Sequence, residues 1–92
     1  MAMTVKSGRW SDPTVWDGPI PSSGIVSMMH IRPGHQIIMD NTNDVIFERV
    51  MSDMGSRLNW DKATPTKLRT NTLMLKGISE IPDDYTHDMI FH

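Results

Sequence analysis

The sequence predicts an all-β fold, a short β-helix or β-roll of about three coils. Gly34, Gly55 and Gly77 recur at intervals of 21 and 22 residues, and each lies between two segments in which apolar and polar residues alternate. Alternation is the period of a β-strand, and glycine permits a sharp turn because it has no Cβ. Repeats of about 20 residues built from short strands indicate stacked coils rather than a sandwich of hairpins.

The predicted strands lie within residues 26–92, where alternating apolar pairs recur. Each pair places two side chains on one face of its strand: Met29 and Ile31, Ile37 and Met39, Leu58 and Trp60, and Leu73 and Leu75. The polar stretches 41–44 and 61–67 are expected to form the corners of the coils. Residues 44–54 fit a strand, or a helix with Asp44 as its N-cap, and the register of the repeat favours the strand.

The N-terminal part of the chain has a different composition. Residues 7–24 hold three of the six glycines, three of the six prolines and two of the three tryptophans, so no regular helix is expected there. We therefore expect a single domain in which residues 1–25 form an irregular cap and residues 26–92 the stacked strands. Trp10 and Trp16 would cover the apolar end of the stack.

Composition excludes several classes of protein. The chain has 92 residues, no cysteine and a formal net charge of −2, so it has no disulfide framework, no Cys-ligated metal and no Cys nucleophile. The charge gives no general attraction toward nucleic acid or an anionic membrane. Direct nucleic-acid binding is therefore not expected. A signal peptide and a run of about 18 apolar residues are both missing, so membrane insertion is not expected either.

Several motifs follow one another in a recognisable order. The chain has Trp10, five residues, Trp16, then prolines and Gly24, then Ile31-Arg32-Pro33-Gly34, and then an apolar strand ending in Met39-Asp40. This order is similar to the opening of the eight-glycine (G-eight) domain, an extracellular module. Residues 68–81 resemble the later coils of that family, and residues 89–91 resemble its closing strand.

The resemblance implies a short right-handed β-helix. The family occurs in fibrocystin-like receptors, in proteins that bind or break down hyaluronan, and in bacterial surface proteins. Its members are thought to bind ligands or to act as scaffolds, with no agreed catalytic set. The resemblance therefore implies an extracellular or cell-surface location for this chain.

The three tryptophans are the candidate ligand-binding residues. Trp10, Trp16 and Trp60 together would give an aromatic platform on which a sugar ring could stack. The alternative is that Trp10 and Trp16 close the end of the stack and that Trp60, which alternates with Leu58, belongs to the core.

The sequence predicts no metal site and no cofactor. The four histidines, at positions 30, 35, 87 and 92, lack metal-ligand spacing and are expected to face solvent. Residues 40–44 are rich in side-chain oxygens, but Val45 and Met51 stand where a calcium loop needs Gly and Glu. That run is better explained as a corner whose side-chain oxygens accept from backbone N–H groups.

An acidic stretch near the C-terminus supports a second hypothesis. Glu80, Asp83, Asp84 and Asp88 lie within nine residues with no basic residue between them. A small cytoplasmic inhibitor of the phage or mobile-element type could use such a face to occupy the basic nucleic-acid channel of a partner. A polysaccharide-acting enzyme is a third hypothesis, but no catalytic motif is present.

The function predicted from the sequence is a non-enzymatic binding or scaffolding module that recognises a carbohydrate or a protein. The methionines, which fall mostly within apolar segments, are expected in the core, although a Met-lined surface for a partner protein is the alternative. Open strand edges at the ends of a short stack would pair with another chain. A homodimer, or continuation into a longer solenoid, is therefore expected.

Overall fold

The computed structural model describes residues 2–21, 24–63, 65–80 and 87–91, which form nine β-strands and one 3₁₀ turn at Pro13–Val15. The strands are β1 (Ala2–Met3), β2 (Gly8–Arg9), β3 (Gly24–Ile31), β4 (Gln36–Met39), β5 (Val45–Ser52), β6 (Arg57–Trp60), β7 (Thr66–Leu75), β8 (Ile78–Glu80) and β9 (His87–Phe91). The all-β prediction is confirmed. Residues 44–54 hold strand β5, as the glycine register indicated. Within these described ranges, no helix is long and apolar enough to cross a membrane.

The strands form two parallel sheets. One has the order β1-β3-β5-β7-β9 and the other the order β2-β4-β6-β8. Successive strands therefore alternate between the sheets, and each strand pairs with the strand two places along the chain. Because parallel neighbours cannot be joined by a tight hairpin, each connection crosses from one sheet to the other.

The pairing register explains the unequal glycine intervals. Gln36 pairs with Arg57 and Arg57 with Ile78, a step of 21 residues in each case. Ile46 of β5, in contrast, pairs with Arg69 of β7, a step of 23 residues. Between paired positions, Trp60 to Arg69 covers nine steps whereas Met39 to Ile46 covers seven, so the corner at residues 61–67 adds two residues. Leu75 to Ile78 covers three steps whereas Ser52 to Arg57 covers five, so the register of the second sheet is restored.

Two of the three glycines serve matching turns. Gly34 has φ +85° and Gly55 has φ +79°. They lie in the turns 32–35 and 53–56, each closed by a bond from the last N–H to the first C=O, of 3.2 and 3.1 Å. Positive φ at the third residue defines a type II turn and favours glycine. The turns stack on each other, since the Gly34 N–H donates to the Gly55 carbonyl at 3.0 Å.

Gly77 is required for a different reason. It lies in the shortened β7–β8 turn, where a Cβ would come within 2.3 Å of the Ser56 carbonyl oxygen and 2.8 Å of the Asp53 carbonyl oxygen. Both contacts are with backbone of the preceding turn, which cannot move aside as a flexible side chain can. The short turn is therefore accommodated only because residue 77 has no side chain.

The alternation of buried residues breaks once within β5. Phe47 and Val50 are both buried, and residues 48–49 between them are both exposed. In β7 residues 71–72 are also both exposed, and Thr72 is the partner of Arg49. Two successive exposed side chains interrupt the alternation of a strand with one buried face, so this alternation breaks at the same level in neighbouring strands.

A single apolar core lies between the sheets. Both sheets contribute to it, together with the segment that follows β2: Ala2, Trp10, Val15, Trp16, Met29, Ile31, Ile37, Met39, Val45, Phe47, Val50, Leu58, Trp60 and Leu68. The methionines, which were expected in the core, do not all lie there. Met29 and Met39 are buried in this core, whereas Met54 is 70% exposed. The side chain of Met89 lies outside the described atoms.

The edge of β1 is covered by the chain itself. The Val5 N–H donates to the Val15 carbonyl at 2.7 Å, and the Asp17 N–H donates to the Met3 carbonyl at 2.9 Å. The Asp17 carboxylate in turn accepts from the Met3 N–H at 2.8 Å. Residues 1–25 are thus not irregular throughout, because they contain β1, β2 and the first residues of β3 as well as this covering segment.

The corner at residues 40–44 is held by the Asn41 amide as well as by the Asp40 carboxylate, which accepts from the Ser11 N–H at 2.8 Å. Asn41 is 3% exposed, and its Nδ2 donates to the carbonyls of Asn43 at 3.1 Å and Lys67 at 2.8 Å. The side chain therefore satisfies carbonyl groups of two successive corners. The sequence-based expectation that side-chain oxygens accept from N–H groups there is met at Asp40, and the donor role of the Asn41 amide is an addition to it.

Replacing Gly77 by alanine tests the close approach of the two turns. We expect Gly77→Ala to lower the free energy of unfolding by about 1–3 kcal/mol, the usual cost of overpacking. Gly18→Ala is the matched control, because a Cβ at Gly18 meets no heavy atom within 4 Å. Urea unfolding followed by tryptophan fluorescence measures both, and equal midpoints for the two variants would contradict the packing role of Gly77.

Removing the Asn41 amide tests the corner. We expect Asn41→Ala to cost about 1–3 kcal/mol, because two main-chain carbonyl groups lose the donor that a buried side chain supplies. Asn43→Ala serves as the control, since Asn43 is exposed and contributes only its main-chain carbonyl to this contact. Thermal unfolding monitored by circular dichroism gives the comparison. An Asn43→Ala protein as unstable as Asn41→Ala would assign the effect to the loop composition instead.

Candidate ligand groove

The stacked turns border an open groove of about 340 Å³. Cavities of this size fall within the usual range of ligand sites, about 300–1,000 Å³. The groove is lined by residues of three successive turns and of the strands that follow them: Gly34, Gln36, Met54, Gly55, Ser56, Arg57, Lys76, Gly77 and Ile78. We refer to these nine residues as the glycine groove.

The floor of the glycine groove is main chain. A Cβ on Gly34 would have no heavy atom within 4 Å, and on Gly55 the nearest atoms would be 3.9 Å away. Both positions therefore face open space, which a side chain would enter. The same residues that permit the type II turns leave room for a ligand to approach the backbone.

One wall of the groove is a row of paired residues. Gln36, Arg57 and Ile78 occupy equivalent positions of β4, β6 and β8, and all three are exposed. In a parallel sheet paired residues project from the same face. The row therefore presents an amide, a guanidinium and an apolar side chain in succession.

The opposite wall projects from the turns. Met54 is 70% exposed at the tip of its turn, and Lys76 is exposed where β7 ends. In the described part of the chain, neither Lys76 nor Arg57 takes part in an ion pair. The groove thus combines two accessible cations with the apolar side chains of Met54 and Ile78, the latter 59% exposed.

The 53–56 turn is braced by Asp53. Its carboxylate accepts from the Met54 N–H at 2.8 Å and lies 3.2 Å from Nε2 of His30. The Met54 bond, and after it the contact with His30, holds the pKa of Asp53 below its ordinary value. The Ser56 hydroxyl donates to the Asp53 carbonyl at 2.7 Å. These bonds fix the part of the turn that carries Met54.

A second hollow, of about 360 Å³, lies beside Asp40. The Asp40 carboxylate accepts from the Ser11 N–H at 2.8 Å and the Ser11 hydroxyl at 2.6 Å. Arg9 reaches Asp40 at 3.4 Å and Asp61 at 2.8 Å, and Asp61 is the main cause of the raised pKa of Arg9. These polar groups already bind one another. The contacts beside the hollow therefore connect the ends of β2, β4 and β6, which is a structural role.

The three tryptophans lie in the core. Trp10 is fully buried, and Trp16 and Trp60 are each 5% exposed. Trp16 packs edge-to-face on Trp10 at 5.0 Å between ring centroids, and Trp10 packs likewise on Phe47 at 5.4 Å. The indole of Trp16 donates to the Trp10 carbonyl at 2.9 Å. This burial supports the packing interpretation, and no indole face is open for the stacking predicted from the sequence.

The predicted acidic face is described only in part. Glu80 is exposed at the end of β8. Asp83 and Asp84 lie outside the described residues, and of Asp88 only the main chain in β9 is described. The partner-binding role of these four residues stays a prediction.

The histidines differ from the expectation that they face solvent. His30 is half-buried against Asp53, and His35 is half-buried with Nδ1 2.6 Å from the Thr4 hydroxyl. His92 lies outside the described residues, as does the side chain of His87. In the ranges that the structure describes, no three His, Asp or Glu side chains come together as a metal site.

The groove-lining side chains were not among the residues singled out from the sequence. Gln36 and Arg57 each lie two residues after a repeated glycine, but Ile78 directly follows Gly77. The last turn is two residues shorter, and Gly77 therefore lies one residue closer to the row than Gly34 and Gly55 do. Aligning the strands instead of the glycines would have revealed it.

Acid titration tests the bracing of the turn. Because the pKa of Asp53 is lowered in the folded protein, its stabilising effect is complete above the unfolded-state pKa of about 3.9 and is lost as the pH falls through the folded value. We expect the stability difference between the wild type and Asp53→Asn to shrink from about pH 5 to about pH 2. Glu48→Gln, which alters an exposed carboxylate, provides the baseline. A difference that is constant across this range would contradict the role of Asp53.

Comparison of the chain with protein-family models, with curated proteins and with solved structures finds no match. The functional assignment therefore depends on the geometry and chemistry of the chain itself.

Proposed function

We propose that the two sheets are the faces of a short right-handed β-helix of about three coils, beginning at β3, β5 and β7. Three features support this arrangement. Successive strands alternate between the sheets, paired residues in the second sheet are 21 positions apart, and the alternation of buried residues breaks at the same level in β5 and β7. Right-handedness follows from the strong preference of crossovers between parallel strands, about 98%.

The N-terminal cap precedes the first coil of this β-helix and covers its end. Residues 15–17 cover the edge of β1 through main-chain bonds, and Trp10 and Trp16 fill the core behind them. A solenoid needs such a cover at its end, because otherwise apolar side chains and unpaired backbone groups meet water.

We propose that this β-helix is a non-enzymatic binding module that recognises an extended acidic segment of a protein. The glycine groove is the observation that carries the proposal. It presents two cations, Arg57 and Lys76, beside the exposed apolar side chains of Met54 and Ile78. An acidic segment with apolar residues at intervals matches both properties.

A protein partner fits this groove better than a neutral sugar chain. Sugar binding relies strongly on exposed aromatic rings, and the three indoles are buried. The flexible thioether of Met54 adapts to the shape of a peptide partner.

A labelled peptide of alternating glutamate and leucine tests the proposal. We expect it to bind with measurable fluorescence anisotropy, and the double variant Arg57→Glu with Lys76→Glu to weaken binding at least about tenfold, or 1.4 kcal/mol. A peptide of alternating lysine and leucine should not bind the wild type, since it would place like charges against the groove.

Matched variants locate the effect. Lys6→Glu with Lys62→Glu changes the net charge equally but alters exposed residues outside the groove, and this protein should bind like the wild type. If both double variants weakened peptide binding equally, the interaction would depend only on net charge, and this would contradict binding at the glycine groove. Stronger binding of an acidic oligosaccharide than of the peptide would indicate that the partner is a glycan instead of a protein.

A further inference from the structure

The turn between β7 and β8 lacks two residues that the preceding turn has. Residues 53–56 connect β5 to β6, whereas only Lys76 and Gly77 connect β7 to β8. The strand ends on both sides of these two turns are paired with each other. Two of the four positions in the 53–56 turn therefore have no counterpart in the next coil.

The first two turns show which contact the short turn omits. The Gly34 N–H donates to the Gly55 carbonyl at 3.0 Å and thus points toward the next coil. Gly55 has the same place in the same type of turn, with φ +79° against +85° for Gly34, so its N–H points toward the coil that follows. In the described part of the chain, no acceptor for this N–H occurs. The Gly55 N–H is therefore a free donor on the side of the glycine groove that the third coil forms.

Two cations lie beside this donor. Arg57 follows Gly55 by two residues, and Lys76 occupies the first position of the short turn. No acidic side chain is among the nine residues that define the groove, and the Asp53 carboxylate accepts from the main chain of its own turn. The groove therefore presents three donors, two of them charged, to an anion.

We infer that the glycine groove binds a phosphate monoester on the partner segment, with one phosphate oxygen accepting from the Gly55 N–H. This inference rests on the proposed recognition of an acidic segment. A phosphorylated side chain carries about −1.5 to −2 charges and three acceptor oxygens. One phosphate therefore balances Arg57 and Lys76 together and offers an oxygen to each donor, whereas a carboxylate has a single charge and two oxygens. The apolar side chains of Met54 and Ile78 contact the residues that flank the phosphorylated one.

Two matched peptides test this inference. One is the labelled peptide of alternating glutamate and leucine, and in the other the central glutamate is replaced by phosphoserine. We expect the phosphopeptide to bind at least about tenfold more tightly in fluorescence anisotropy, because it adds a charge-assisted hydrogen bond.

The outcomes separate this inference from the proposed function. Equal affinities of the two peptides would overturn the phosphate site and leave the recognition of acidic segments intact. Binding of the phosphopeptide alone would support the phosphate site and contradict the general recognition of acidic segments. If neither peptide binds, both are overturned. Tighter binding of adenosine monophosphate than of the phosphopeptide would overturn the peptide as the source of the phosphate.

Amide resonances of the wild type test the main-chain donor without altering the chain. In ¹H–¹⁵N spectra recorded while the phosphopeptide is added, we expect the Gly55 amide proton to move downfield. The Gly34 amide is the internal control, because it already donates to the Gly55 carbonyl, and its proton should move less. Phosphopeptide binding that leaves the Gly55 resonance in place would contradict the role of this N–H.

Restoring the two missing residues tests the origin of the free donor. Insertion of one asparagine before Gly77 and one serine after it gives the third turn the length of the second. The lengthened turn should supply the acceptor for the Gly55 N–H while Arg57 and Lys76 remain. We therefore expect this variant to bind the glutamate peptide like the wild type and to lose its preference for the phosphopeptide. An unchanged preference would show that the cations alone select the phosphate.

Discussion

Parallel main-chain pairing between residues one repeat apart is the constraint on which the other features of this protein depend. It places the residues at equivalent, paired positions of successive strands in rows that run across the sheet. The row Gly8, Ile37, Leu58 and Ser79 faces the core side of the smaller sheet, and the next row, from Arg9 to Glu80, faces outward. The environment of a side chain is therefore set by its row before it is set by its immediate neighbours. The groove wall formed by Gln36, Arg57 and Ile78 is a consequence of such a row.

The second constraint is that a change of length at one corner must be balanced at another. The longer corner at residues 61–67 shifts β7 by two residues relative to β5. Register in the smaller sheet survives because the following turn is two residues shorter, and that turn is closed only with Gly77 in contact with the preceding backbone. One local insertion has thus determined the residue type at a position more than ten residues away.

The glycines and the alternation were sufficient to predict the strands and the turns at Gly34 and Gly55. Strands β1 and β2 were missed because two residues carry no periodicity. The amide role of Asn41 was missed because the same residue type can donate or accept, and the sequence does not say which. Arg57 and Ile78 were not recognised as one row because the insertion makes their distances from the preceding glycines unequal. The local pattern of glycines and alternating residues thus predicted the strands and turns. The groove depends on which residues pair across strands, which the local pattern does not give.

The packing of Trp10 against Phe47 has a consequence for the order of folding. Phe47 belongs to β5, two strands away from the end that the N-terminal segment covers. The surface on which Trp10 docks exists only after β3 and β5 have paired. That pairing closes a loop of about twenty residues, and the entropy cost of closing the loop comes before the favourable contacts form. Docking of Trp10 therefore follows the pairing of β3 with β5. Until Trp10 docks, its indole and the side chain of Phe47 lack each other's cover, and exposed apolar surface of this kind favours premature association with other chains.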